Sequence, residues 1–146
     1  MLQITTKSEK ETENLGRVFA SKLKPRSIIA LYGDLGAGKT AFVRGLARGL
    51  GIEKKVSSPT FTIVNELSEN GKTLIHFDMY RLSGSDELFD IGWEDYLRRD
   101  CILAVEWSEI VDDIYTGDEI SVKIEKLGDN ERRITFGGNL DENFSL

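Results

Sequence analysis

The chain has 146 residues, with 25 acidic side chains against 19 Lys and Arg, a net charge of −6 and a pI near 4.9. That length and balance bound one globular domain with a real core, and argue against direct grip on a nucleic acid backbone. No apolar run approaches the roughly 20 residues that span a bilayer. The first residues, Met1 to Lys7, lack the build of a signal peptide, and the lone Cys101 has no internal partner. A reducing cytoplasm, with no membrane association, is therefore expected.

Along the chain, Leu2 and Ile4 alternate with polar residues as a half-buried first strand. Ser8-Glu9-Lys10-Glu11 is a capping box, and the helix it opens carries Leu15, Val18, Phe19 and Leu23 on one side until Pro25. Ile28 to Tyr32 reads as a buried strand. A second helix carries Phe42, Val43, Leu46, Ala47 and Leu50 on its apolar side, closed by Gly49 and Gly51. Val56 to Leu67 is a loop and then a strand, and Leu74 to Met79 is another strand. Short helices are expected at Ser85-Asp86-Glu87 and Trp93 to Leu97, around Gly92. Cys101 to Val105 is apolar throughout, as in a strand covered on both faces. Ile120, Val122 and Ile124, a Gly128-Asp129-Asn130 turn, then Ile134 and Phe136 form a β-hairpin. The expected architecture is α/β: a three-layer sandwich on a mixed, mostly parallel sheet with a C-terminal β-hairpin. Residues 1–138 would form one domain, and 139–146 a flexible tail.

Between the second strand and its helix lies Gly33-Asp34-Leu35-Gly36-Ala37-Gly38-Lys39-Thr40, which fits G-x-x-x-x-G-K-[ST] at every fixed position. Glycines let the backbone curl so that successive N–H groups point at phosphate oxygens. Lys39 adds a compact positive charge, the Thr40 hydroxyl suits Mg²⁺, and the helix that follows aims its positive end at the same anion, so the expected sandwich is P-loop NTPase-like.

Such a loop needs a carboxylate at the end of a neighbouring buried strand. Asp78 follows one strand and Glu106 the most apolar one. A carboxylate after five apolar residues is costly without a partner, which favours Glu106 as the direct metal contact. Asp78 would bind through water or hold Thr40. His76, the only histidine, reads as a hydrogen-bonded structural residue, with a general base as the alternative. Trp107 suits packing on a nucleotide, a partner or the core equally well. Arg81 and Arg133 could neutralise phosphate or stack on a base, although exposed arginines more often do neither. The segment Ser57-Ser58-Pro59-Thr60-Phe61-Thr62 occupies the interval where P-loop switches sense the γ-phosphate.

Together the phosphate loop, Ser58-Pro59-Thr60-Phe61-Thr62, His76-Phe77-Asp78-Met79-Tyr80-Arg81-Leu82 and Val105-Glu106-Trp107 resemble the TsaE (YjeE) family of small bacterial P-loop ATPases. The resemblance runs in order over residues 1–138. It implies a role in forming N6-threonylcarbamoyladenosine at adenosine 37 of tRNA. The protein would bind a TsaD–TsaB heterodimer and hydrolyse ATP to allow multiple turnover, meeting tRNA only through that complex. By position, Gly36, Ala37, Gly38, Lys39, Thr40 and Ala41 would bind ATP, with Gly33 and Asp34 opening the loop. Thr40 and Glu106 would hold Mg²⁺. Ser58 to Thr62 would form the first switch, and the His76 to Arg81 segment, with Asp78 at its centre, the second. Thr12 matches a position near the nucleotide, and Arg133 matches one in the last hairpin.

Three other readings compete. A small-molecule kinase would need an acceptor site and an Arg-rich lid that the chain lacks. A GTPase would need an Asn-Lys-x-Asp segment. A non-catalytic nucleotide-binding scaffold remains compatible, because no residue is evident that would polarise the attacking water.

Overall fold

The computed structural model describes residues 1–34, 36–56 and 63–146. Among the described residues, seven strands form one sheet: β1 (Leu2–Thr6), β2 (Ile28–Tyr32), β3 (Val64–Glu69), β4 (Lys72–Asp78), β5 (Ile102–Glu106), β6 (Glu119–Lys126) and β7 (Arg132–Gly138). Their order is β1-β7-β6-β2-β5-β4-β3. The four central strands β6, β2, β5 and β4 pair in parallel, and β3, β7 and β1 pair antiparallel with their neighbours. Only β3 and β7 therefore run against the rest, so the sheet is mixed and mostly parallel.

Helices α1 (Glu9–Ala20) and α2 (Lys39–Gly49) cover one face, and α3 (Ser85–Ile91), α4 (Trp93–Leu97) and two single 3₁₀ turns cover the other. Alternation along β5 shows why three layers result. Ile102 and Ala104 enter the core under α1 and α2, while Leu103 and Val105 enter the core under α3 and α4. Such a strand has no polar face, as the unbroken apolar run requires.

Glycine brings α1 and α2 together. A methyl group at Gly45 would overlap the carbonyl oxygen of Glu13, and one at Gly16 would overlap that of Phe42. Gly49 belongs to the same contact, because its missing side chain makes room for Arg17's backbone. It is a packing residue inside α2 rather than the cap expected from the sequence, while Gly51, at φ 85°, takes the left-handed turn beyond the helix end.

At the other end of α1, Ser8 Oγ accepts from the Glu11 N–H at 3.1 Å, and the Glu11 carboxylate accepts from Lys7 N–H at 3.0 Å. Beyond the hairpin, the residues expected to trail free lie on the core. Leu140, Phe144 and Leu146 pack against the core on the α1 and α2 face, and the Phe144 ring meets Phe19 at 6.0 Å and Phe136 at 6.1 Å between centroids. Apolar side chains every few residues in a polar stretch give that segment something to bury.

Candidate nucleotide-binding site

The parallel strands deliver the site. β2 leads directly into Gly33. Its neighbour β5 ends at Glu106, and the next strand, β4, ends at Asp78, which lies opposite Glu106 in the register. Asp78, His76 and Leu74 alternate onto the α2 side of β4, and Glu106 with Ala104 and Ile102 onto the α2 side of β5. Both acids thus rise at the C-terminal edge of the sheet beneath the phosphate loop, where open α/β sheets hold ligands. The backbone fixes this edge: Met79 N–H donates to Glu106 O at 3.1 Å, and Asp78 N–H donates to Ile63 O at 2.8 Å.

Three loop glycines, Gly33, Gly36 and Gly38, have positive φ of 149°, 77° and 106°. At Gly33 the need is also spatial, since a Cβ would stand 2.6 Å from Ile124 O. Lys39, at the first position of α2, is 5% exposed. Its ammonium donates to Gly33 O and lies 3.5 Å from the centre of the Trp107 ring. Burial pulls its pKa below the ordinary lysine value, opposed by the nearby carboxylates of Glu106, Glu109, Asp78 and Asp34. Trp107 itself sits in the left-handed region at φ 59°, directly after β5, and carries the exposed Tyr80 ring at 4.9 Å between centroids. To the roles left open for Trp107, on a nucleotide, a partner or the core, the structure adds another: it is a platform for the loop lysine.

Asp78 accepts from the Tyr80 N–H at 3.0 Å. Its pKa is raised, mainly by burial; the Tyr80 hydrogen bond pulls it down and Glu106 adds to the rise. Glu106 and His76 are both buried, and His76 Nε2 meets Glu106 Oε2. The lone histidine is hydrogen-bonded, as its strand position suggested, but its partner is the candidate metal ligand. Arg81 lies exposed just beyond Tyr80.

The hairpin requires a correction. Arg132, not Arg133, reaches the phosphate loop. Arg132 shares the face of Ile134 and Phe136, the α2 side, whereas Arg133 alternates to the opposite face. From there Arg132 Nε donates to Ala37 O at 2.8 Å and Nη2 to Gly36 O at 3.3 Å, while Nη1 is held by Gly128 O at 2.9 Å and Glu131 O at 3.0 Å. The sequence shows the Arg pair but not which member faces the loop. Thr12 is also brought in: its methyl would lie 3.8 Å from a Cβ at Gly38, and its hydroxyl bonds Thr6 Oγ1 at 2.7 Å. The first-switch candidates Ser58, Pro59, Thr60, Phe61 and Thr62 lie outside the described residues.

This set suits a nucleotide carrying Mg²⁺. Among the described residues no three His, Cys, Asp or Glu side chains converge to cage a metal unaided. Mg²⁺ does not require such a cage, because it takes one or two protein oxygens and completes its shell with phosphate and water. Thr40, in the first turn of α2, and Glu106, at the end of β5, would be such oxygens. A cavity of about 360 Å³ at the other end of β2 and β5 offers less, since its Arg99 is held by both oxygens of Glu66 and its Arg26 donates to Leu97 O.

Comparison with known proteins agrees with the motifs. The family described as "Threonylcarbamoyl adenosine biosynthesis protein TsaE" matches residues 6–134. The chain belongs to the TsaE family. The tRNA threonylcarbamoyladenosine biosynthesis protein TsaE of Bacillus subtilis is 38% identical to this TsaE-family chain over 135 residues, 92% of this chain and 84% of that one. The protein of the same name from Haemophilus influenzae is 42% identical over 119 residues, 78% of this chain and 75% of that one. The crystal structure of B. subtilis YdiB superposes with a TM-score of 0.75 at 36% identity, covering 92% of this chain and 83% of that chain. Membership assigns this TsaE-family chain to the biosynthesis of threonylcarbamoyladenosine in tRNA. No described helix is long and apolar enough to cross a membrane.

Proposed function

We propose that this chain is an Mg²⁺-dependent ATPase that allows a TsaD–TsaB heterodimer to turn over repeatedly in tRNA threonylcarbamoylation, in the cytoplasm. One observation carries the reading. A glycine-rich loop with its lysine and threonine lies over two carboxylates, Asp78 and Glu106, paired across the ends of adjacent parallel strands.

Each residue has a part. The backbone N–H groups from Gly36 to Ala41, the α2 N-terminus and Lys39 would hold the ATP phosphates. Thr40 and Glu106 would hold Mg²⁺, which supplies neutralisation of the phosphate charge when bound. Arg132 holds the carbonyls of Gly36 and Ala37, which would fix the course of the loop around the phosphates. Asp78 hydrogen-bonds the backbone of Tyr80, so a change at the phosphates would pass along Asp78 to the exposed Tyr80 ring and the Trp107 ring it meets. That route fits a protein whose hydrolysis serves a partner.

Charge supports a protein rather than RNA as direct partner. Residues 84–97 hold five acids and residues 107–119 another five, with no Lys or Arg in either. That layer would repel a phosphate backbone, and the tRNA would be met through the heterodimer.

The test is threonylcarbamoylation of tRNA by the heterodimer with ATP and threonylcarbamoyl-adenylate, with and without this chain. Product beyond one equivalent per complex only when the chain is present supports the reading. The same product curve with wild type and with Lys39→Ala would remove the ATPase from it.

A further inference from the structure

His76 and Glu106 lie on adjacent parallel strands, and both side chains are withdrawn from water, at 0% and 3% exposure. His76 pairs with Ala104 in the register and Asp78 with Glu106, so the ring stands one step back from the sheet edge, against the carboxylate. Nε2 meets Oε2. A carboxylate only accepts, so in this contact Nε2 carries the hydrogen. Among the described residues Nδ1 has no hydrogen-bond partner. The ring therefore costs the core one unpartnered polar atom and makes one polar contact, to Glu106. An apolar residue would fill this position of β4 without that cost, as Leu74, Ile75 and Phe77 do around it.

We propose that His76 is a positioning residue for Glu106: it occupies one carboxylate oxygen and leaves the other to take the divalent cation. The proposal rests on the Mg²⁺-nucleotide reading of the site. The backbone at Glu106 is already fixed through Met79, so what His76 adds is the rotation of the carboxylate. Partners of metal-binding carboxylates act in this way on metal affinity.

The test titrates Mg²⁺ into protein mixed with a fluorescent adenine nucleotide, with EDTA giving the metal-free affinity. His76→Gln places an amide N–H near the Nε2 position; His76→Asn places it a bond short; His76→Phe keeps a flat ring, somewhat larger, and donates nothing. The expected result for His76→Phe is a rise of about 10-fold or more in the Mg²⁺ needed for half-saturation. Metal-free nucleotide affinity should stay within about twofold, and His76→Gln should recover most of the loss. A folded His76→Phe with the wild-type Mg²⁺ requirement overturns the proposal. Should His76→Phe not fold, the two amides decide: a weaker Mg²⁺ response in Asn than in Gln supports positioning, and equal responses overturn it. If wild type itself binds nucleotide with no response to Mg²⁺, the reading of the site fails instead, and that outcome is visible without any variant.

Discussion

Arg132→Ala tests whether the C-terminal hairpin organises the phosphate loop. The substitution removes the Nε donation to Ala37 O at 2.8 Å and the longer Nη2 contact to Gly36 O at 3.3 Å. Hydrogen bonds from a charged group contribute about 1.5–3 kcal/mol each. Only the first has good length, and the guanidinium is half-buried, so about 1–2 kcal/mol of loop organisation is at stake. Nucleotide affinity should fall about 5- to 30-fold, because every 1.4 kcal/mol is about tenfold. Calorimetric titration with ADP and Mg²⁺ reads this directly. Arg133→Ala is the control: on the opposite face of β7, it should leave affinity within about twofold. Arg132→Lys should fall between, since an ammonium keeps the charge and loses the fork. Wild-type affinity in Arg132→Ala, or an equal loss in Arg133→Ala, would refute the assignment of the hairpin to the loop.

Gly45→Ala should cost about 3 kcal/mol or more, lowering Tm by about 6 °C or more, because its methyl meets the Glu13 carbonyl rather than a movable side chain; Gly84→Ala, with open space around it and extended φ, should leave Tm unchanged. Asp78→Asn should stabilise the nucleotide-free protein at neutral pH. Burial raises the Asp78 pKa above 3.8, so the fold binds the proton more tightly than the unfolded chain, and stability declines as pH rises from that value through the folded one. Tm curves of wild type and Asp78→Asn should meet at low pH and separate above it, and parallel curves would contradict the burial argument. In a Trp93→Phe background, the emission of Trp107 should change when nucleotide draws Lys39 from the ring, and Lys39→Met should abolish that change. Emission insensitive to saturating nucleotide would mean the lysine stays on the ring.

The phosphate loop was legible because its chemistry demands particular residues at fixed spacing. Asp78 and Glu106 were legible because a carboxylate closing an apolar strand is expensive anywhere else. What stayed hidden depended on contacts distant in sequence. His76 meets Glu106 only because β4 lies beside β5. Gly16 and Gly45 look like weak points of two helices until the helices cross there. Which arginine of the pair at 132 and 133 faces the loop is a matter of strand parity, set by how the hairpin closes between Leu127 N–H and Glu131 O at 2.9 Å. One signal was present but unused. Asn70 and Gly71, at φ 52° and 77°, form the two-residue turn between β3 and β4, and that pair is a strong hairpin marker in sequence alone.

The costs of this fold gather at one edge. Lys39 is buried with its pKa depressed, and Asp78 is half-buried with its pKa raised. Trp107 is held in the left-handed region at a cost of about 1–2 kcal/mol. His76 Nδ1 has no partner among the described residues, beside a carboxylate that is itself buried. The other buried positions of β4 and β5 are filled by Leu, Ile, Phe, Ala and Val. A sequence shaped by folding alone would place apolar residues at these positions too, and such variants should be more stable and inactive. One kind of ligand would relieve several of these costs together. An anion would take the charge of Lys39, and the divalent cation it carries would take the charge of Glu106. A simple anion offers the first without the second, so stabilisation of the fold by Mg²⁺ with nucleotide should exceed that by phosphate or by Mg²⁺ alone, measured as the shift in Tm at saturating ligand.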